Sequence, residues 1–341
     1  MALTKVDTSM VESSGAFGRR NIIINGDYNI YQRTQQATGL GNGASYPTAD
    51  RWVLNGDTAG RLTMTAGTAD APAESNVTVS CKLDCTTADT SIGASEYCLL
   101  QQRIEGQNLQ HVKKGTSGAR QLTASFWVKG NASATYVLEL YDADNTRQVS
   151  KSFSVTSSWS KVELTFPADT TGAFSNDNNI SMYFQIWIHG GSTYTGGTLS
   201  ETWTSVTDGN RAAGISSFFS STSNEFYITA VQLEVGDAAT EFEYITKQEA
   251  LMLCYRYYYK MEDQSSPMYG TTYNGNTADR GFVFWSTPVP MNHTPTTTQT
   301  VAGGTLSSTY HTVERLSFYL SLTNGNASAG SVDYFDAEAE L

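Results

Sequence analysis

The stretch from Ile180 to His189 constrains the fold more than any other, because its side chains alternate without a slip. Ile180, Met182, Phe184, Ile186 and Ile188 form one wholly apolar series; Ser181, Tyr183, Gln185, Trp187 and His189 form the other. Successive side chains of a strand point to opposite faces, so this split describes a strand with one face on a core. The second face carries rings and hydrogen-bonding groups. The pattern recurs in 120–129, where Leu122, Ala124, Phe126 and Val128 face in and Thr123, Ser125, Trp127 and Lys129 face out. In 134–142, Tyr136, Leu138 and Leu140 oppose Glu139 and Tyr141; in 96–105, Cys98, Leu100 and Ile104 oppose Tyr97, Gln101 and Arg103.

Further strands are expected at 21–31, 50–55, 61–66, 76–84, 147–155, 159–166 and 224–235, separated by short turn-rich stretches. Gly, Ser, Thr, Asn and Tyr are abundant, and only 16% of residues are charged, which leaves little material for solvated helices. Six Trp, 14 Phe and 19 Tyr can bury a large core, so the composition is not that of a disordered chain. The expectation is an all-β protein: an antiparallel jelly-roll β-sandwich over 21–246, then one short helix and a small C-terminal β domain.

At 341 residues the chain exceeds the usual size of one domain. Residues 1–20 are small, polar and patternless, and are expected to be an arm ordered by docking. Thr246 followed by Glu249 is a capping box, which predicts a helix over 247–261 with Ala250, Leu251, Cys254, Tyr257 and Tyr258 on one side. Strands return at 281–285, 289–291, 310–322 and 331–341. So small a segment, 262–341, is expected to pack on the first domain or to trimerise as a tip.

The net charge of −12, with no basic cluster larger than a Lys113-Lys114 pair, argues against nucleic acid and anionic lipid as partners. It suits a neutral partner such as a glycan. The N-terminus lacks the apolar stretch of a secretory signal and no run of about 18 apolar residues occurs, so synthesis in a cytoplasm without membrane insertion is expected. Cys81 and Cys85 could share a sheet face, but a lone CxxxC without nearby His favours buried thiols, at Cys98 and Cys254 too, over zinc or a disulfide. The motifs of serine hydrolases, zincins, phosphate-binding loops and zinc deaminases are missing. Asp142 with Asp144, or Glu338 with Glu340, are the carboxylate pairs that a glycosidase reading would use; both read as solvated ends, and no enzyme activity is expected.

The candidate site follows from the polar strand faces. If the strands are neighbours, one sheet carries Gln101, Arg103, Trp127, Glu139, Tyr141, Tyr183, Gln185, Trp187 and His189 on its open side. Sugar rings present apolar C–H faces that stack on Trp and Tyr, while their hydroxyls need amide, imidazole or carboxylate partners. The alternative is that this face is covered by the long 190–220 loop, with its Tyr194 and Trp203, or by another subunit.

Several segments, in order, resemble bacteriophage tail-fibre and virion-structural proteins. They are Asn21-Ile22-Ile23-Ile24-Asn25-Gly26-Asp27, Ala49-Asp50-Arg51-Trp52, Arg103-Ile104-Glu105-Gly106, Ser125-Phe126-Trp127-Val128-Lys129, Val231-Gln232-Leu233-Glu234-Val235-Gly236 and Cys254-Tyr255-Arg256-Tyr257-Tyr258. The same features are similar to carbohydrate-binding-module jelly rolls. The resemblance implies a virion location, homotrimers, host surface glycan as ligand and docking to other virion proteins through 1–20, whose Ala2-Leu3-Thr4-Lys5-Val6 looks like fibre attachment ends. It leaves open a capsid decoration or head-fibre protein, or a glycan depolymerase. By similarity to the jelly-roll modules, Asp27, Asp50 and Glu234 are candidates for a structural calcium ion; no other cofactor is expected.

Overall fold

The computed structural model describes residues 19–261, 266–268, 279–302, 304–322 and 330–341. The chain divides into two compact units between Ile245 and Thr246. The expected arm, 1–20, lies outside the described residues except for Arg19 and Arg20.

The first unit contains β1 (Gln36–Ser45), β2 (Val53–Thr68), β3 (Ser80–Thr87), β4 (Tyr97–Glu105), β5 (Leu122–Gly130) and β6 (Ala134–Asp142). They are followed by β7 (Arg147–Val155), β8 (Ser160–Phe166), β9 (Ile180–Gly190), the one-turn helix α1 (Ser192–Thr195), β10 (Thr204–Ser205) and β11 (Glu225–Val235). All pair antiparallel in the order β10-β7-β6-β9-β4-β2-β3-β11-β5-β8, with β1 on β2. The sheet curls because β2 serves both halves: Val53–Asp57 pairs with β4, and Arg61–Thr68 with β3. What the sequence presents as two strands, 50–55 and 61–66, is one strand with a bend. The inner faces meet in one core, where Tyr136 of β6 packs edge-on against Phe226 of β11 at 5.3 Å and Phe126 of β5 against Phe153 of β7 at 5.1 Å. This is the antiparallel β-sandwich that the alternation predicts.

Residues 21–31 correct the expectation of a first strand: they form turns. The Asn21 amide donates to Val231 O and its Oδ1 accepts from Ile23 N and Leu233 N, tying the chain to β11. Asn25 (φ 57°) donates to Ile30 O and Asp50 O, and Trp52, fully buried, donates to Asn25 O and stacks on Tyr28 at 4.7 Å. Side-chain amides thus satisfy the backbone that a ladder would have paired. Apolar Ile22–Ile24 reads as strand because burial alone leaves the same signature. The Gly-rich β1, QATGLGNGAS, gave no alternating signal.

Cys81, Cys85 and Cys98 are buried free thiols, and Cys254 is buried as well. Burial pushes the Cys98 thiol up to about 12.

In the second unit the helix α2 (Lys247–Tyr255) carries the expected capping box, Thr246 accepting from Glu249 N while the Glu249 carboxylate accepts from Thr246 N. It ends at Tyr255, six residues short of the predicted 261. The aromatic residues that follow form β12 (Tyr258–Met261), which pairs with β18 (Gly330–Glu338), because a row of β-prone side chains gains more from a sheet partner than from another helical turn. β18 also pairs with β13 (Ser266–Met268) and β15 (Thr296–Ala302); β14 (Asp279–Ser286), β17 (Arg315–Leu322) and β16 (Gly304–His311) make a second, three-stranded sheet. Their core holds Met291, Leu316, Phe318, Phe335 and Ala337. Val289–Met291, expected as a strand, is not one, and 310–322 is broken by a turn between β16 and β17. Among the described residues no helix is long and apolar enough to cross a membrane.

Candidate functional site

The strands β2, β4, β9 and β6 lie side by side, and their register stacks the outward residues in rows. Gln185 is paired with Gln101 on one side and Glu139 on the other; Tyr183 is paired with Arg103 and Tyr141; Trp187 with Leu99 and Val137. Asn55 of β2 stands opposite Leu99. Directly opposite side chains are the closest neighbours in a sheet, so residues as distant in sequence as Asn55 and Trp187 become one surface.

This surface floors a cleft of about 340 Å³, lined by Gln101, Arg103, Tyr141, Tyr183, Gln185 and Trp187 together with Asn55, Tyr97, Leu99, Tyr194 and Arg211. The rings of Tyr97 and Tyr194 meet edge-on at 5.9 Å, and those of Tyr141 and Tyr183 at 5.7 Å. Gln101 Nε2 donates to Gln185 Oε1 at 3.0 Å. Gln101 Oε1 is buried and has no hydrogen-bond partner.

Glu139 is fully buried and organises the centre. Its Oε2 accepts from Gln185 Nε2 at 2.5 Å and from the Trp187 indole at 2.7 Å, and its Oε1 accepts from Arg211 Nε at 3.0 Å. Arg211 arrives from the long loop and lies over the rings of Tyr141 (5.2 Å) and Trp187 (5.0 Å). Burial works against the guanidinium charge, but Glu139 outweighs it and holds Arg211 above its ordinary pKa. Burial likewise pushes the Tyr141 and Tyr97 hydroxyls up, so both stay protonated donors at neutral pH.

The open platform expected from the sequence is not what the structure shows: Gln101, Glu139 and Gln185 are buried in the cleft floor, and Trp187, Trp127 and His189 sit elsewhere. Trp187 is 1% exposed, covered by Tyr194 at 5.1 Å and by Arg211, and it joins Leu99, Val137 and Ala212 in a satellite apolar cluster. Part of the 190–220 loop is therefore a lid on this end of the face. Trp127 belongs to the other half of the sheet, where β5 pairs with β11 and β8, and is half-buried opposite Thr229 and Lys161. Alternation shows which face a residue takes but not which strands are neighbours.

His189 is turned inward by a β-bulge. The register slips between Cys98 and Leu99, so Ile188 is unpaired and His189 stands opposite core-facing Cys98. Its ring packs on Phe219 at 5.3 Å and its Nδ1 bonds Ser217 Oγ at 2.8 Å. Burial lowers the His189 pKa against the opposing pull of Asp89 and Glu96.

Of the groups proposed for other chemistry, Asp50 accepts from the Gln32 backbone N and side-chain amide, and Glu234 from Gln232 and Thr240. Asp27 is half-buried. Asp142, expected as a solvated end, is fully buried and 2.6 Å from Lys114 Nζ, whereas Asp144 is exposed. Arg211 escaped the sequence reading, though a signal existed: it is the sole Lys or Arg between 190 and 220, and Glu139 the sole acid among the inner residues of its strand.

Fold and cleft together describe an antiparallel jelly-roll β-sandwich with a ring-and-amide depression on one outer face. No family model and no curated protein matches the sequence. Among solved structures, the chain is similar to one described as a CBM4 module, at 10% identity and a TM-score of 0.33, over 62% of this chain and 98% of that one. It is similar to a family 61 carbohydrate-binding module in complex with β-1,4-galactotriose, at 11% identity and a TM-score of 0.32, over 64% and 100%. A CBM22 xylan-binding domain from Paenibacillus barcinonensis Xyn10C aligns at 12% identity and a TM-score of 0.28, over 59% and 94%.

Proposed function

We propose that the first unit binds a neutral glycan in the cleft over β2, β4, β9 and β6, without catalysis. The observation that carries this is the amide row Gln101–Gln185, bedded on Glu139, with tyrosine rings to either side. Tyr141 and Tyr183 offer surfaces for sugar C–H faces, and Gln101, Asn55 and Arg103 offer the donors and acceptors that hydroxyls need. Arg211 is already neutralised by Glu139, which favours an uncharged ligand. What supports the non-catalytic reading is that Glu139 has its oxygens committed to Gln185, Trp187 and Arg211, and that Asp142 is committed to Lys114.

The finer setting rests on the sequence resemblance alone. In it the protein is a subunit of a bacteriophage tail fibre, trimeric, docked to the particle through residues 1–20, and the glycan belongs to the host surface.

A glycan array followed by calorimetry on the full chain tests the binding. Tyr183→Ala and Gln101→Leu are expected to weaken the best glycan tenfold or more, about 1.4 kcal/mol, with circular dichroism unchanged. Absence of any glycan retained by the wild type, or folded variants that bind as tightly as wild type, would overturn the reading.

A further inference from the structure

Behind the end of the cleft lies a cluster that the glycan reading does not use. Asp89 follows β3, Glu96 precedes β4, and His189 sits on β9 just past the bulge. One ligand atom of each lies within 4.8 Å of the others, and among the described residues no other group of His, Cys, Asp or Glu does this. His189 is fully buried, and its Nε2 has no hydrogen-bond partner; the nearest carboxylate oxygen, Glu96 Oε2, is 3.6 Å away, too far for a hydrogen bond.

The surroundings hold each of the three in place. His189 Nδ1 meets Ser217 Oγ at 2.8 Å, and that oxygen also accepts from Phe219 N at 3.2 Å. In the tautomer that donates Nδ1–H to Ser217, Nε2 turns its lone pair toward two carboxylates. Asp89 Oδ2 accepts from Thr58 Oγ1 at 2.9 Å and Oδ1 from Ser91 N at 3.1 Å; Glu96 Oε2 accepts from Gly93 N at 3.0 Å. A lone pair and two acids facing one another need a cation between them. Oriented ligands with their outer partners satisfied are the arrangement of a metal centre.

We propose that Asp89, Glu96 and His189 bind a divalent transition-metal ion, with Zn²⁺ the best fit. Imidazole nitrogen with two carboxylates suits zinc, whose bonds of roughly 2.0–2.2 Å place tetrahedral ligands about 3.4 Å apart. The 3.6 Å between His189 Nε2 and Glu96 Oε2 is already close to that. Glu96, one-fifth exposed, gives the ion its way in and leaves a fourth position for water. The ion would join the 88–96 turn, β9 and the 217–220 turn, the first of which leads directly into Tyr97 of the cleft.

The test is calorimetric titration of the chelator-treated full chain with ZnCl₂, with melting temperature as a second readout. One equivalent is expected to bind at micromolar affinity or better and to raise the melting temperature. Glu96→Gln and Asp89→Asn, close in shape to wild type, should each lose at least tenfold in affinity and abolish the thermal shift, whereas His111→Ala should change neither. No stoichiometric uptake by the wild type at 100-fold excess of ZnCl₂ over chain, or uptake that both carboxamide variants retain, overturns the proposal and leaves a proton as the cation that closes the cluster.

Discussion

Lys114 brings a full charge into the interior of the sandwich and shows how a single residue can hold several loops. Its Nζ lies 2.6 Å from Asp142 and 3.0 Å from Asp169, donates to Thr171 O and Gly172 O, and stands 5.2 Å from the Trp203 ring. Removing one partner of a buried ion pair leaves the other uncompensated, so Lys114→Met is expected to cost about 3–5 kcal/mol in urea unfolding. A cost under about 1 kcal/mol would show that the charges are solvated. Burial alone would raise Asp169, but hydrogen bonds from Arg147 and Lys114 outweigh it and hold the carboxyl below its ordinary value. A carboxyl depressed in the folded state contributes stability that is complete above the unfolded value, near 3.9, and is lost as pH falls through the folded value. Stability should therefore drop below about pH 4, and less steeply in Asp169→Asn; equal slopes would exclude Asp169 from the acid transition. None of this was legible in the sequence, where Lys113-Lys114 is only the largest basic cluster and Asp142 a solvated end, because the partners lie far along the chain.

At the scale of elements, two irregularities decide the site. The bulge at Ile188 takes His189 out of the cleft and delivers it to Asp89 and Glu96; alternation to Trp187 is regular, so nothing in the pattern marks the slip. The bend in β2 is the other. Gly60 lies in it, and a Cβ there would stand 2.3 Å from the ring of Phe219, which is fully buried. Neither the backbone nor a packed ring can yield that much, so Gly60→Ala is expected to destabilise the unit by about 1–3 kcal/mol through overpacking. Differential scanning calorimetry reads this directly, and an unchanged melting temperature would mean that Phe219 has room to move. By contrast β4 to β9 and β11 were legible almost to their ends, since each turns alternate apolar side chains to the core and so writes a period of two. The 190–220 loop writes none, and its role as partial lid came from Arg211, Tyr194 and Ala212 reaching back to the sheet.

For the whole molecule, the trimer expected from the resemblance makes a plain prediction: light scattering of the full chain should give three times the 37.1 kDa chain mass in dilute solution. A monomer would remove the fibre setting while leaving the cleft untouched. By itself the sequence determined that the chain is a β-sandwich with one oily and one polar face per strand, because burial of one face is a local demand on every second residue. It also brought Gln101, Arg103, Tyr141, Tyr183, Gln185 and Trp187 forward together. The tertiary structure alone decided which strands are neighbours, and so sent Trp127 to the far half of the sheet. It alone placed Trp187 under the loop and His189 among acids. Strand order, register slips and loop closure are set by contacts between distant residues, which leave no periodic trace along the chain.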